Sequence, residues 1–151
     1  MSMTELRREI EFGLENLEKI YVSICRFAQQ EIDVEVKTSA LTYECLGYYN
    51  AIEHLIVRIL KFRRVEIPSG SFSHRDTLKT FETLVNERSV VADEEVLKVV
   101  ENLMAFRHVA TKIYGFLIDA SKLRFVIRDI EESHHRMKQL MLDVVVAVEE
   151  K

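Results

Sequence analysis

Arg107, His108, Lys112 and Tyr114 fall within one short apolar run, Phe106-Arg107-His108-Val109-Ala110-Thr111-Lys112-Ile113-Tyr114-Gly115-Phe116. A helix that only had to pack would carry Phe, Leu or Ala at those positions. Arginine offers a planar, permanently charged fork suited to phosphate. Histidine shuttles protons because its pKa lies near neutrality. Lysine, with a reference pKa of about 10.4, holds charge near neutral pH and takes up a proton only if burial lowers that value by roughly three units. Tyr114 follows Arg107 by seven residues, which on a continuous helix places it about 20° around and about 10 Å along from the arginine. The segment therefore carries the means to bind phosphate and to move a proton.

Each of these residues also has a purely structural reading. Arg107 on an apolar stripe can be a buried ion-pair partner of Glu53. His108 can pack or cap near a helix end. Lys112 fits a solvated lysine stabilised by the negative end of the helix dipole. Tyr114 can be an amphipathic core tyrosine. Elsewhere, His134 lies on the apolar stripe of the last helix and reads as a satisfied core or interface histidine. His134-His135 lacks metal-pair spacing, so neither a metal nor a cofactor is expected. Lys61, Arg63 and Arg64 cluster at a helix C-terminus, where dipole compensation is the default explanation and RNA contact the alternative.

The elements that must position these side chains are all helical. A chain of 151 residues with one Pro, four Gly and 48% apolar residues has few sheet turns or linkers and is expected to form one domain over residues 1–151. The formal charge of −4 argues against broad coating of nucleic acid but leaves room for a local phosphate site. Cys25 and Cys45 fall on amphipathic stretches and read as buried free thiols of a reducing compartment. The opening residues lack the apolar core of a signal peptide, and apolar stretches such as Val144 to Val148 are too short to span a bilayer. A cytoplasmic location without membrane contact is expected.

Ser2 and Glu5 have capping-box spacing, and Leu6, Ile10, Leu14, Leu17, Tyr21, Ile24 and Ala28 mark one face of a first helix to about Glu31. A second runs from about Glu35 to Arg63, with Leu41, Cys45, Tyr48, Ile52, Leu55, Ile59 and Phe62 on one face. Ile67-Pro68-Ser69-Gly70-Ser71 breaks the pattern. Ser73 and Asp76 offer a second capping box for a short third helix ending near Asn86. Asp93 caps a fourth, carrying Val96, Val100, Leu103 and Arg107 and stopping at Gly115. Asp119 or Ser121 opens a fifth, whose stripe is Leu123, Ile127, Ile130, His134, Met137, Met141, Val144 and Val148. The spacing predicts an all-α, antiparallel four-helix bundle with one additional short helix.

The run from Phe106 to Gly115 closely resembles the signature helix of the HEPN superfamily in its HepT-like toxin branch, which reads roughly Phe-Arg-His-Phe-x-Arg-His-Ala-Tyr-Gly. Tyr49-Asn50-Ala51-Ile52-Glu53 resembles that branch's Tyr-Asn-x-Ile-Glu. Pro68-Ser69-Gly70 followed by His74 resembles its Pro-Ser-Gly and Trp-His, with Ser73 in place of Trp. Asp119 through Leu123 resembles the acidic turn and Lys/Arg-Leu opening that follow the signature.

The resemblance implies a HEPN-like bundle acting as a homodimer, with a composite cleft for RNA phosphate. It implies a metal-independent RNA endonuclease paired with a small nucleotidyltransferase antitoxin of the MNT type. Arg107, Asn50 and Glu53 would contact substrate, and Arg107, His108 and Lys112 would carry the chemistry. Cleavage by the neighbouring 2′-hydroxyl needs a base, an acid and a cation. Thr111-Lys112 stands where the Arg-x4-His pattern places Arg-His, so the proton-transfer half is depleted and the phosphate-binding half is better kept. His108 remains beside Arg107, but adjacent helical residues point about 100° apart. A weakened or lost ribonuclease is therefore expected, and the alternative is a non-catalytic substrate-binding or docking partner of the nucleotidyltransferase. Arg107 is expected to have no nearby cation that replaces its grip. Tyr114 would be the residue to which the partner attaches AMP. Tyr48, Tyr49 and the apolar faces of the last two helices are expected to supply surplus apolar surface for the dimer.

Overall fold

The computed structural model describes residues 2–88, 93–114 and 117–149. Five helices form among them: α1 (Met3–Gln29), α2 (Val34–Phe62), α3 (Ser73–Glu87), α4 (Glu94–Ala110) and α5 (Ala120–Glu149). The fold is all-α, as the periodicity predicts. None of these helices is long and apolar enough to cross a membrane.

Helix boundaries follow from side chains that satisfy the exposed N–H groups of each first turn. Ser2 accepts from Glu5 N at 3.1 Å, Asp33 from Glu35 N and Val36 N, and Asp93 from Val96 N. Asp119, rather than Ser121, caps α5, accepting from Ser121 N at 2.8 Å. The expected second capping box does not form. A turn through Gly70, at φ 96°, lets Ser73 N donate to Gly70 O, so Ser73 is already helical and Phe72 occupies the cap without a side-chain bond.

The four long helices neighbour one another in the order α1, α2, α4, α5, with α2 and α5 also in contact. Directions follow from the pairs that join them. Arg7 pairs with Glu149 and Glu18 with His134, so α1 and α5 run antiparallel. Arg136 bonds Asp93 at the start of α4, while Phe106 near its end shares a groove with Phe125 near the start of α5, so these two also run antiparallel. Glycine lets α1 approach α2, since a Cβ on Gly13 would stand 2.5 Å from Leu55 Cδ2. All eight stripe residues expected of α5 are buried. The short α3 lies against α2 and α4.

Both cysteines are free thiols, Cys45 buried and Cys25 half-buried. Burial pushes the Cys45 thiol up to about 12. Tyr48 and Tyr49 do not supply dimer surface. They are 0% and 2% exposed, because α2 is covered on a wide arc by α1, α4 and α5.

Candidate functional site

Val96, Val99, Val100, Leu103 and Phe106 turn one face of α4 into the core, which leaves Arg107 half-buried at its edge and His108 exposed. The helix does not continue to Gly115, which lies outside the described residues. It ends at Ala110. Thr111 Oγ1 donates to Arg107 O at 2.9 Å, and Lys112 N donates to Val109 O, an i−3 bond that tightens the last turn. The residue standing where the signature has arginine thus helps to close the helix. Lys112 is exposed in the turn beyond it, and Tyr114 lies further on at 72% exposed. The continuous-helix placement of Tyr114 over Arg107 therefore does not apply.

A cleft of about 420 Å³ opens between the start of α3 and the last turns of α4. Its walls include Phe72, His74, Arg75, Met104, Arg107 and His108, and among the described residues none that lines it is a carboxylate. Arg75 lies over the Phe72 ring, 4.6 Å from its centroid, and supplies the second cation that the sequence reading did not anticipate near Arg107. Among the described residues the Arg107 guanidinium makes no hydrogen bond or salt bridge, although its charge acts on Tyr49. Lys112 and Asn50 do not line this cleft.

Glu53 stands behind His74 and is not paired with Arg107. Its Oε2 accepts from the Tyr49 hydroxyl at 2.8 Å and meets His74 Nδ1 at 2.6 Å. Burial, reinforced by this bond to Glu53, raises the Tyr49 phenol far above its ordinary range, while Arg107 acts in the opposite sense. The ring of His74 meets that of Tyr49 edge-on. His74 and Arg75 are the residues that reasoning from the signature run missed. His74 sits within the resembling loop motif, yet no spacing rule reports a contact with a glutamate on another helix.

His134 is enclosed, in keeping with its structural reading. It is 0% exposed, its Nδ1 meets the Tyr48 hydroxyl at 2.9 Å, and its Nε2 meets Glu18 Oε1 at 2.8 Å. Tyr21 stacks on its ring at 3.9 Å, and Lys138 bonds the same Glu18 oxygen. Burial lowers the His134 pKa against the pull of Glu18, so the ring is neutral at neutral pH, donating from Nε2 and accepting from Tyr48.

A second, apolar groove of about 430 Å³ runs where α4 ends and α5 begins. Val109, Ile113, Leu117 and Phe125 line it and are each exposed by more than a third, with Phe125 at 66%. Ala105 and Val109 line both this groove and the cationic cleft, so the two adjoin.

The family model for HepT-like proteins matches residues 40–147, which take in most of α2 and all of the cleft. No curated protein and no solved structure matches the chain.

Proposed function

The chain belongs to the HepT-like family of the HEPN superfamily, and from that premise we propose that it is the toxin-side member of a toxin–antitoxin pair whose cleft between α3 and α4 grips RNA phosphate. One observation carries this reading: Arg107 and Arg75 line a concave surface together with two imidazoles, and among the described residues that surface has no carboxylate and Arg107 is not spent on a partner. Guanidinium forks hold phosphate oxygens in pairs. The ribonuclease is weakened because Thr111 commits its hydroxyl to the helix end and Lys112 stands outside the cleft.

The protein acts as a homodimer. Its exposed apolar groove is the seat of a second copy, and because that groove adjoins the cleft, the second copy would border the RNA site. The remaining partner is an MNT-type nucleotidyltransferase that modifies Tyr114, which is exposed beyond the end of α4. In that step the phenol oxygen bonds the α-phosphorus of ATP, the α–β anhydride bond breaks, pyrophosphate leaves, and the phenolic proton passes to solvent. The adduct adds a negative charge at the end of the signature segment and opposes RNA binding. The second reading, a non-catalytic docking partner of the nucleotidyltransferase, is favoured by the place of Lys112 outside the cleft.

RNA binding tests the proposal. Arg107→Ala is expected to weaken affinity for a single-stranded RNA by about tenfold or more, the effect of losing one charged hydrogen-bonding group. Unchanged affinity would remove the cleft from the argument. A monomer in sedimentation at micromolar concentration would remove the dimer. Incubation with the neighbouring nucleotidyltransferase, ATP and magnesium should add the mass of AMP to the native chain and not to Tyr114→Phe.

A further inference from the structure

We infer that His74, held by Glu53, is the general base of this cleft and takes over the proton transfer that the signature helix has lost. The inference rests on the reading of the cleft as an RNA-phosphate site. Glu53 Oε2 has two neighbours, the Tyr49 hydroxyl at 2.8 Å and His74 Nδ1 at 2.6 Å. A carboxylate at neutral pH only accepts hydrogen bonds, so both neighbours must donate. His74 therefore carries its proton on Nδ1 when neutral, and its lone pair is on Nε2. That second nitrogen has no hydrogen-bond partner among the described residues, and the ring lines the cleft.

The other candidates are less well placed. Lys112 is outside the cleft, and its ammonium has no lone pair to accept a proton. His108 lines the cleft, but among the described residues no partner fixes either ring nitrogen. Among the described residues, only His74 joins a fixed tautomer to a cleft that both arginines line, Arg75 on its own helix and Arg107 on α4.

The step balances without an added reagent. His74 Nε2 takes the proton of an RNA 2′-hydroxyl, the 2′-oxygen bonds the adjacent phosphorus, and the bond from phosphorus to the 5′-oxygen breaks. The leaving oxygen takes a proton from water, and the imidazolium later returns its own to solvent. Arg107 and Arg75 offset the charge gathering on the phosphoryl oxygens. Glu53 is a positioning residue: it sets the tautomer and stabilises the imidazolium as it forms.

The test measures single-turnover cleavage and binding of a labelled RNA by the full chain, with His74→Ala and Glu53→Gln alongside. The native protein is expected to leave 2′,3′-cyclic phosphate ends. His74→Ala should lower the rate about 100-fold, with Kd changed less than about twofold. Glu53→Gln should lower the rate with Kd changed less than about twofold, and should leave neutral His74 a mixture of both tautomers, because an amide can donate as well as accept and no longer demands the proton on Nδ1. Cleavage unchanged in His74→Ala would overturn the role of His74 and leave the RNA cleft standing. Native protein that binds RNA without cutting it would do the same. Absence of both binding and cleavage would instead defeat the RNA reading itself. Nitrogen-15 NMR gives a readout that needs no activity: neutral His74 should carry its proton on Nδ1, and a proton on Nε2 would overturn the inference.

Discussion

Two histidines in this molecule are each held by a glutamate with a tyrosine alongside, and their surroundings give them opposite characters. His134 lies between Tyr48 and Glu18, spends both ring nitrogens, stacks on Tyr21 and is 0% exposed. His74 shares Glu53 with Tyr49, spends only Nδ1, and has a side chain 39% exposed at the wall of a cleft. A single helix serves both networks. Tyr48 and Tyr49 are adjacent on α2, so their side chains leave about 100° apart, one toward α5 and the other toward Glu53. A histidine, a glutamate and a tyrosine together are thus no mark of a site by themselves. The distinction lies in whether a nitrogen is left over and faces solvent.

If that distinction is right, the largest difference appears on deleting each ring. His134→Ala removes a stacked, fully buried side chain and strands the Tyr48 hydroxyl. It should cost about 3–5 kcal/mol in urea unfolding, from cavity and lost hydrogen bonds together. His74→Ala removes a partly exposed ring and should cost less than about 1 kcal/mol. Equal costs would break the comparison.

The second difference is in pH dependence. Burial depresses the His134 pKa below its ordinary 6.5, so the unfolded chain binds the proton more readily. The stability this histidine contributes is therefore complete above 6.5 and is lost as pH falls from there toward the folded-state value. The slope is at most about 1.4 kcal/mol per pH unit for one proton. Glu18, held low first by its bond from His134 and also by Lys138, adds a separate loss. Its contribution is complete above 4.5 and disappears as pH falls through its folded-state pKa. Unfolding curves recorded from pH 8 to 5 should show the first decline in native protein and in His74→Gln, and should lose it in His134→Gln.

These contrasts also show how far the sequence could be read. His134 was legible because Leu123, Ile127, Ile130 and Met137 share its stripe, and a polar residue on a core face must be satisfied locally. The caps at Ser2 and Asp93 were legible because capping is a short-range event, whereas Asp119 and Ser121 both fit the start of α5 and only the structure chooses Asp119. Ser73 failed as a cap because the Gly70 turn, a backbone matter, had already drawn it into the helix. The end of α4 was missed because Lys112 and Ile113 tolerate a helix well, whereas the Thr111 hydroxyl and the tightened turn close it at Ala110. Arg107 and His108 are neighbours in the chain and could be found as a pair. The contact of His74 with Glu53 spans two helices and a loop, so neither residue announces the other.

The smallest difference concerns the two tyrosine hydroxyls. Tyr48→Phe leaves His134 Nδ1 buried with no donor among the described residues, since Glu18 occupies Nε2 and Tyr21 covers the ring face. An unsatisfied buried acceptor costs about 1–3 kcal/mol. The ring can escape part of that cost by moving its proton to Nδ1, but then Nε2 would face the Glu18 carboxylate without a hydrogen. Tyr49→Phe leaves Glu53 with His74 still donating to the same oxygen, and the carboxylate, its side chain 21% exposed, can take water in place of the phenol. Its cost should stay below about 1 kcal/mol, and its effect should fall on RNA cleavage instead, by loosening the carboxylate that positions His74. Urea midpoints and cleavage rates measured on the same two variants decide the matter. A Tyr49→Phe protein as destabilised as Tyr48→Phe, with native cleavage, would mean that the Glu53 network holds the fold together as the His134 network does.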